Sequence, residues 1–144
     1  MNTSDCLSPP KRTLAWLASL ILLALIAVLS LAPHPLVDAW VHRLFAIAHL
    51  GTHEVRQGLI DATKVWHAVF YGLFTASLVP ALCRRLRQAA AIAGTVAVGM
   101  ELAQRLAATR TPQVVDLACS LAGVAAAALI IGFIRRRKSN FTTE

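Results

Sequence analysis

TLAWLASLILLALIAVLSLA, residues 13–32, runs for twenty residues without a charge. At about 1.5 Å per helical residue, that length covers a hydrocarbon core of about 30 Å, so the run predicts a membrane-spanning helix. Lys11 and Arg12 precede it, and Ser30 and Ala32 close it, a pattern shared with cleavable secretion signals. The run exceeds the roughly 7–15 apolar residues of such signals, and Pro33 would stand first after a cut. The reading is therefore an uncleaved anchor, preceded by a polar, proline-bearing cytoplasmic tail over 1–12.

Outward from this run, the same texture recurs. The 144 residues are 57% hydrophobic and only 15% charged, and the charges fall between long uncharged runs. A chain of this length has room for one domain. Further spans are expected at about 65–83, 88–108 and 112–134, with a basic cytoplasmic tail over 135–144. Short connections make neighbouring helices antiparallel. The fold class is thus all-α, an integral-membrane antiparallel bundle of four transmembrane helices in one domain over 13–134. Between the first two spans, Leu36, Val37, Trp40, Leu44, Phe45 and Ile47 recur at helical spacing. They suggest a short interfacial helix or a connector packed over the bundle.

The net charge of +7 raises the question of nucleic acid, but no reading motif accompanies it and no nucleic-acid partner is expected. Lys11, Arg12, Arg84, Arg85, Arg87, Arg135, Arg136, Arg137 and Lys138 gather at one side of the predicted spans. Arg43, Arg56, Lys64, Arg105 and Arg110 fall on the other, diluted by Asp38, Glu54, Asp61 and Asp116. This asymmetry predicts cytoplasmic termini in a multi-pass inner-membrane protein. Cys6, Cys83 and Cys119, odd in number and scattered, read as apolar fillers and not as a disulfide framework.

The third span holds the anomaly. Its uncharged stretch from Gln88 to Met100 is too short to cross, so the helix must continue through Glu101 and Gln104. An ionisable side chain within a span faces the bundle interior and takes a partner. Lys64, His67 and Tyr71 follow i, i+3, i+7 spacing on the second helix. Ala90, Gly94, Ala97, Glu101 and Gln104 form one stripe on the third, and Asp116, Ser120, Gly123 and Ala127 another on the fourth. Small residues beneath a polar cap let membrane helices approach closely. The candidate polar cluster is therefore Lys64, His67, Tyr71, Glu101, Gln104, Arg110, Asp116 and Ser120, in the outer half of the membrane.

The run Glu101-Leu-Ala-Gln104, with Arg110, Asp116 and Gly123, resembles the C-terminal signature of the VanZ-like membrane protein family. Lys64-Val-Trp-His67 followed by Tyr71 resembles the family's other motif, and together they cover about Thr63 to Ala127. Thr63 departs from a usual Asp, and Leu106, Ala108, Gln113 and Ser120 stand where Phe, Pro, Ser and Asn are usual. Ser120 in particular removes an amide able to bridge helices. The resemblance implies four spans in a bacterial inner membrane and an association with cell-envelope properties or tolerance to glycopeptide antibiotics of the teicoplanin type.

Several functional readings stand side by side. The cluster is a latch holding the second to fourth helices in register. Alternatively it is an outer-leaflet pocket in which Lys64 and Arg110 hold the phosphate or carboxylate of a lipid, anionic or polyprenyl-phosphate in kind, while Glu101 balances charge. Both are non-enzymatic. A third reading is an enzyme acting on a lipid-linked phosphate or acyl group, with His67 and Glu101 as general acid and base. A proton-coupled carrier fits poorly, since four helices leave little room for a pathway unless the chain forms a homo-oligomer through Gly94, Gly99 and Gly123. His49 and His53, with His42 or Glu54, have metal-ligand spacing but read as interfacial side chains; no metal and no cofactor is expected.

Overall fold

The computed structural model describes residues 8–31, 39, 63–83, 85–107 and 114–141. They form an all-α structure with four long helices: α1 (Pro9–Leu31), α2 (Thr63–Ala81), α3 (Leu86–Ala107) and α4 (Val114–Phe141). Apart from Ala39, the segment expected to hold an interfacial helix lies outside the described residues.

Cross-helix contacts set the directions. Arg12, in the first turn of α1, bonds the carbonyl of Ala81 at the end of α2. Gln104, in the last turn of α3, bonds the carbonyl of Ser30 at the end of α1. Ser120 near the start of α4 meets His67 near the start of α2. The four helices therefore alternate in direction, with the starts of α1 and α3 and the ends of α2 and α4 at one end.

Two boundaries differ from the sequence-based expectation. The first helix begins at Pro9, not Thr13, so residues 9–12 are helix and not tail. Proline is tolerated in a first turn, where its missing N–H has no intrahelical acceptor to lose, and Arg12 N–H already bonds Ser8 O at 3.1 Å. At the other end, α4 continues through Arg135, Arg136 and Arg137 to Phe141 instead of stopping at 134. Arginine is a good helix former and does not interrupt the helix here. The Arg137 guanidinium also sits 4.7 Å from the centre of the Phe133 ring.

Helix α2 ends just past Pro80, at a Cys83 in the left-handed region with φ 52°. Cys83 N–H bonds Pro80 O at 3.3 Å, one of the two bonds of a Schellman-type ending. Cys83 is also disulfide-bonded, which corrects the reading of all three cysteines as inert fillers; Cys119 is a free thiol.

Polarity is distributed inside out relative to a water-soluble domain. Ser19, Ser30, Thr75, Glu101, Gln104 and Ser120 are buried, whereas Leu14, Ile21, Val28, Leu73, Leu102, Leu129, Ile130 and Phe133 are exposed. The core is built largely of small side chains, Ala89, Ala93, Ala97 and Val124, around Tyr71, Phe74 and Leu78. Apolar atoms are common on any protein surface, but long contiguous faces of this kind are suited to lipid. Helix α1 and residues Val114–Arg137 of α4 are long and apolar enough to cross a membrane. The apolar stretch of α2, Val65–Ala81, is shorter, and α3 carries Arg87, Glu101 and Arg105.

The closest backbone approach joins α2 and α4. A Cβ added at Gly123 would collide with the carbonyl oxygen of Ala68, and one at Gly72 would stand 3.3 Å from Gly123 O. A methyl group at position 123 cannot be absorbed by a flexible side chain, because the obstacle is backbone. Gly123→Ala should therefore cost about 1–3 kcal/mol and lower the unfolding temperature of the detergent-solubilised protein. Gly99→Ala, with nothing within 4 Å of the added atom, should leave that temperature unchanged or raised.

Candidate functional site: a buried polar lining

The predicted stripes face inward. On α3, Ala97, Glu101 and Gln104 are buried at successive turns, with Ala90 and Gly94 half-buried below them. On α4, Ser120 and Gly123 are buried, and Asp116 and Ala127 are half-buried. On α2, Tyr71 is buried and His67 half-buried. Spacing of three and four residues puts each set on one helix face, and the close Gly123–Ala68 approach draws the faces of α2 and α4 together.

Ser120 and His67 meet across that approach, with Ser120 Oγ 3.5 Å from His67 Nδ1. The Ser120 hydroxyl donates to the Asp116 backbone carbonyl at 2.8 Å, a bond to the preceding turn common for serine in apolar helices. Asp116 lies in the first turn of α4, where a carboxylate is favoured by the helix dipole. Sequence reasoning included Ser120 through its stripe but did not pair it with His67. The pairing depends on the relative shift of two helices, which spacing along either one does not specify.

Gln104 is buried, and its Nε2 donates to Ser30 O at 3.0 Å. Ser30 belongs to the last turn of α1, whose final carbonyls have no intrahelical donor. The side chain thus caps a neighbouring helix. Ser30 was missed as a site residue; its place at the end of the long apolar run was the available signal.

Glu101 differs from the others. It is 9% exposed, and its Oε1 has no hydrogen-bond partner. It neighbours Tyr71, which is buried in the core cluster. Desolvating a carboxylate without a donor or counter-charge is among the most costly arrangements in a protein interior. A latch of mutual hydrogen bonds would have satisfied this oxygen. Among the described residues, Gln104 bonds Ser30 on α1 and Ser120 meets His67 on α2, and neither contact reaches Glu101 Oε1.

Arg110 and the Lys64 side chain lie outside the described residues, as do His42, His49, His53 and Glu54. Among the described residues, no three His, Cys, Asp or Glu side chains cluster as metal ligands would. No family model, curated protein or solved structure matches this chain.

Gln104→Ala should leave the Ser30 carbonyl buried without its donor and cost about 1–3 kcal/mol. The loss is measurable as a lower unfolding temperature in detergent. Glu101→Gln keeps the shape of the side chain and breaks no hydrogen bond at Oε1, and the same measurement should return an unchanged or higher value.

Proposed function

We propose that this chain is a four-span bacterial inner-membrane protein of the VanZ-like type, with both termini cytoplasmic. In its outer half, a polar pocket among α2, α3 and α4 recognises a phosphate-bearing lipid or lipid-linked envelope precursor. The observation that carries this reading is the buried Glu101 Oε1 without a hydrogen-bond partner. A buried carboxylate of this kind is matched by a ligand that brings its own donor, a hydroxyl or ammonium group of a headgroup. Lys64 and Arg110 supply the complementary cations for the phosphate.

Four spans are supported by length. The 19 residues of α2 and the 22 of α3 extend roughly 28 and 33 Å, close to the thickness of a hydrocarbon core. Glu101 and Gln104 of α3 turn inward and not toward lipid, as intramembrane polar residues do. Cytoplasmic termini rest on the excess of Lys and Arg at the end that gathers Arg12, Arg85 and Arg135–Arg137. Through the VanZ-like resemblance, such recognition contributes to cell-envelope properties and to tolerance of lipid-tailed glycopeptides.

A second reading draws on the Ser120–His67 contact. A serine hydroxyl beside an imidazole is the minimal arrangement for nucleophilic attack on an acyl or phosphoryl group, with His67 taking the proton and returning it to the leaving group. Against it stand the 3.5 Å separation and the donation of the Ser120 hydroxyl to Asp116 O.

Quantitative lipid analysis of the chain purified in mild detergent tests the pocket. The wild type should retain a specific phosphate-bearing lipid that Glu101→Gln and Arg110→Ala both lose while remaining folded. Equal lipid in all three would sink recognition at this site. For the enzyme reading, a fluorophosphonate probe should label the wild type and neither Ser120→Ala nor His67→Ala; an unlabelled wild type would rule Ser120 out as a nucleophile.

A further inference from the structure

At the opposite end from Glu101, an open cavity of about 190 Å³ is lined by Arg12, Leu82, Cys83, Arg85 and Gln88. Two of its side chains, Arg12 and Arg85, are cationic donors. Arg12 donates from its Nε to Ala81 O at 3.2 Å, a bond that does not use the two terminal nitrogens of its guanidinium. Arg85 Nη1 donates to Gln88 Oε1 at 3.4 Å, which turns the amide nitrogen of Gln88 into the remaining polar group of that side chain. Among the described residues, no carboxylate lines the cavity.

The backbone adds donors of the same sign. The first bond of α3 runs from Ala89 N–H to Arg85 O at 3.0 Å, so the amides of Leu86, Arg87 and Gln88 precede the helical ladder. They stand at the positive end of a 22-residue helix. Of the two helix C-termini at this end, that of α2 has its Ala81 carbonyl bonded by Arg12. At roughly 30 Å³ per water, the cavity has room for a phosphate group with part of its hydration.

We propose that this cavity binds the phosphate of an anionic membrane lipid, with Arg12 and Arg85 as its charged ligands and Gln88 as a neutral donor. The lipid source is favoured over free phosphate by what adjoins the cavity. Trp16 and Leu20 follow Arg12 at i+4 and i+8 on α1 and are exposed, so an acyl chain has an apolar track leading away from the guanidinium. Tryptophan at that level suits the border between headgroups and hydrocarbon. The site is separate from the Glu101 pocket and uses none of its residues.

The test is thermal unfolding of the full chain in a non-ionic detergent, titrated separately with phosphatidic acid, phosphatidylcholine and inorganic phosphate. Phosphatidic acid should raise the unfolding temperature saturably, and phosphatidylcholine should not. The half-saturating concentration should rise about tenfold or more in Arg85→Gln, the loss expected when one charge-assisted bond is removed. Arg12→Gln should behave alike, but it also uncaps α2, so Arg85→Gln decides the question if Arg12→Gln folds poorly. Arg137→Gln, at the same end but outside the cavity, should titrate as the wild type does.

Equal weakening by Arg137→Gln would mean diffuse attraction to a basic surface and would overturn the proposal. So would an unfolding temperature indifferent to phosphatidic acid. Protection by inorganic phosphate equal to that by phosphatidic acid, and lost in Arg85→Gln, would overturn the lipid assignment in favour of a soluble phosphate.

Discussion

Two backbone carbonyls, Ser30 O and Ala81 O, sit at helix ends where the intrahelical ladder has run out of donors, and each is bonded by a side chain from another helix. In water such groups are solvated at little cost, but in an apolar medium each one left bare costs several kcal/mol. Arg12 and Gln104 therefore do more than decorate the ends of the structure. Each ties one helix to its neighbour at a fixed height: α1 to α2 at one end and α3 to α1 at the other. Ser19 and Ser77 add a hydroxyl pair at 2.9 Å between α1 and α2. With heights pinned this way, packing between the helices can rely on close contact and not on large apolar side chains.

That is how the middle of the structure is built. Gly72 and Gly123 bring α2 and α4 to backbone contact, and Ala89, Ala93 and Ala97 give α3 a flat face. Where lipid surrounds the helices, burying leucine offers little gain, since hydrocarbon is already its solvent; dispersion between well-fitted small residues supplies the attraction. The exposed faces of α1 and α4 follow from the same condition. A bulky residue at position 123 would separate α2 from α4 and with it Ser120 from His67, so packing and site geometry share one constraint.

Much of this was legible in the sequence because helical spacing is a local property. The four helices, the inward stripes on α3 and α4, and the burial of Glu101, Gln104 and Ser120 all follow from counting along a single helix. What spacing cannot supply is the height of one helix against another, and that is what pairs Gln104 with Ser30 and His67 with Ser120. The misplaced boundaries have a different origin. Pro9, Pro10 and the basic run from Arg135 read as polar tail, yet proline in a first turn and arginine within a helix are both compatible with helix. The bonding of Cys83 could not be read from three scattered cysteines at all.

Cys83 also sets two physical rules against each other. It lies at the end where Arg12, Arg85 and Arg135–Arg137 gather, the end that topology rules place in a reducing cytoplasm, while a persistent disulfide belongs to an oxidising compartment. The charge rule has more weight for orientation, because it acts during insertion, before any tertiary contact exists. The disulfide depends on two sulfurs meeting after folding and on the redox poise around them. The proposed orientation thus sets a disulfide beside the αL turn that ends α2 against a reducing compartment. At the same end of the structure, Arg12 bonds Ala81 O and ties α1 to α2.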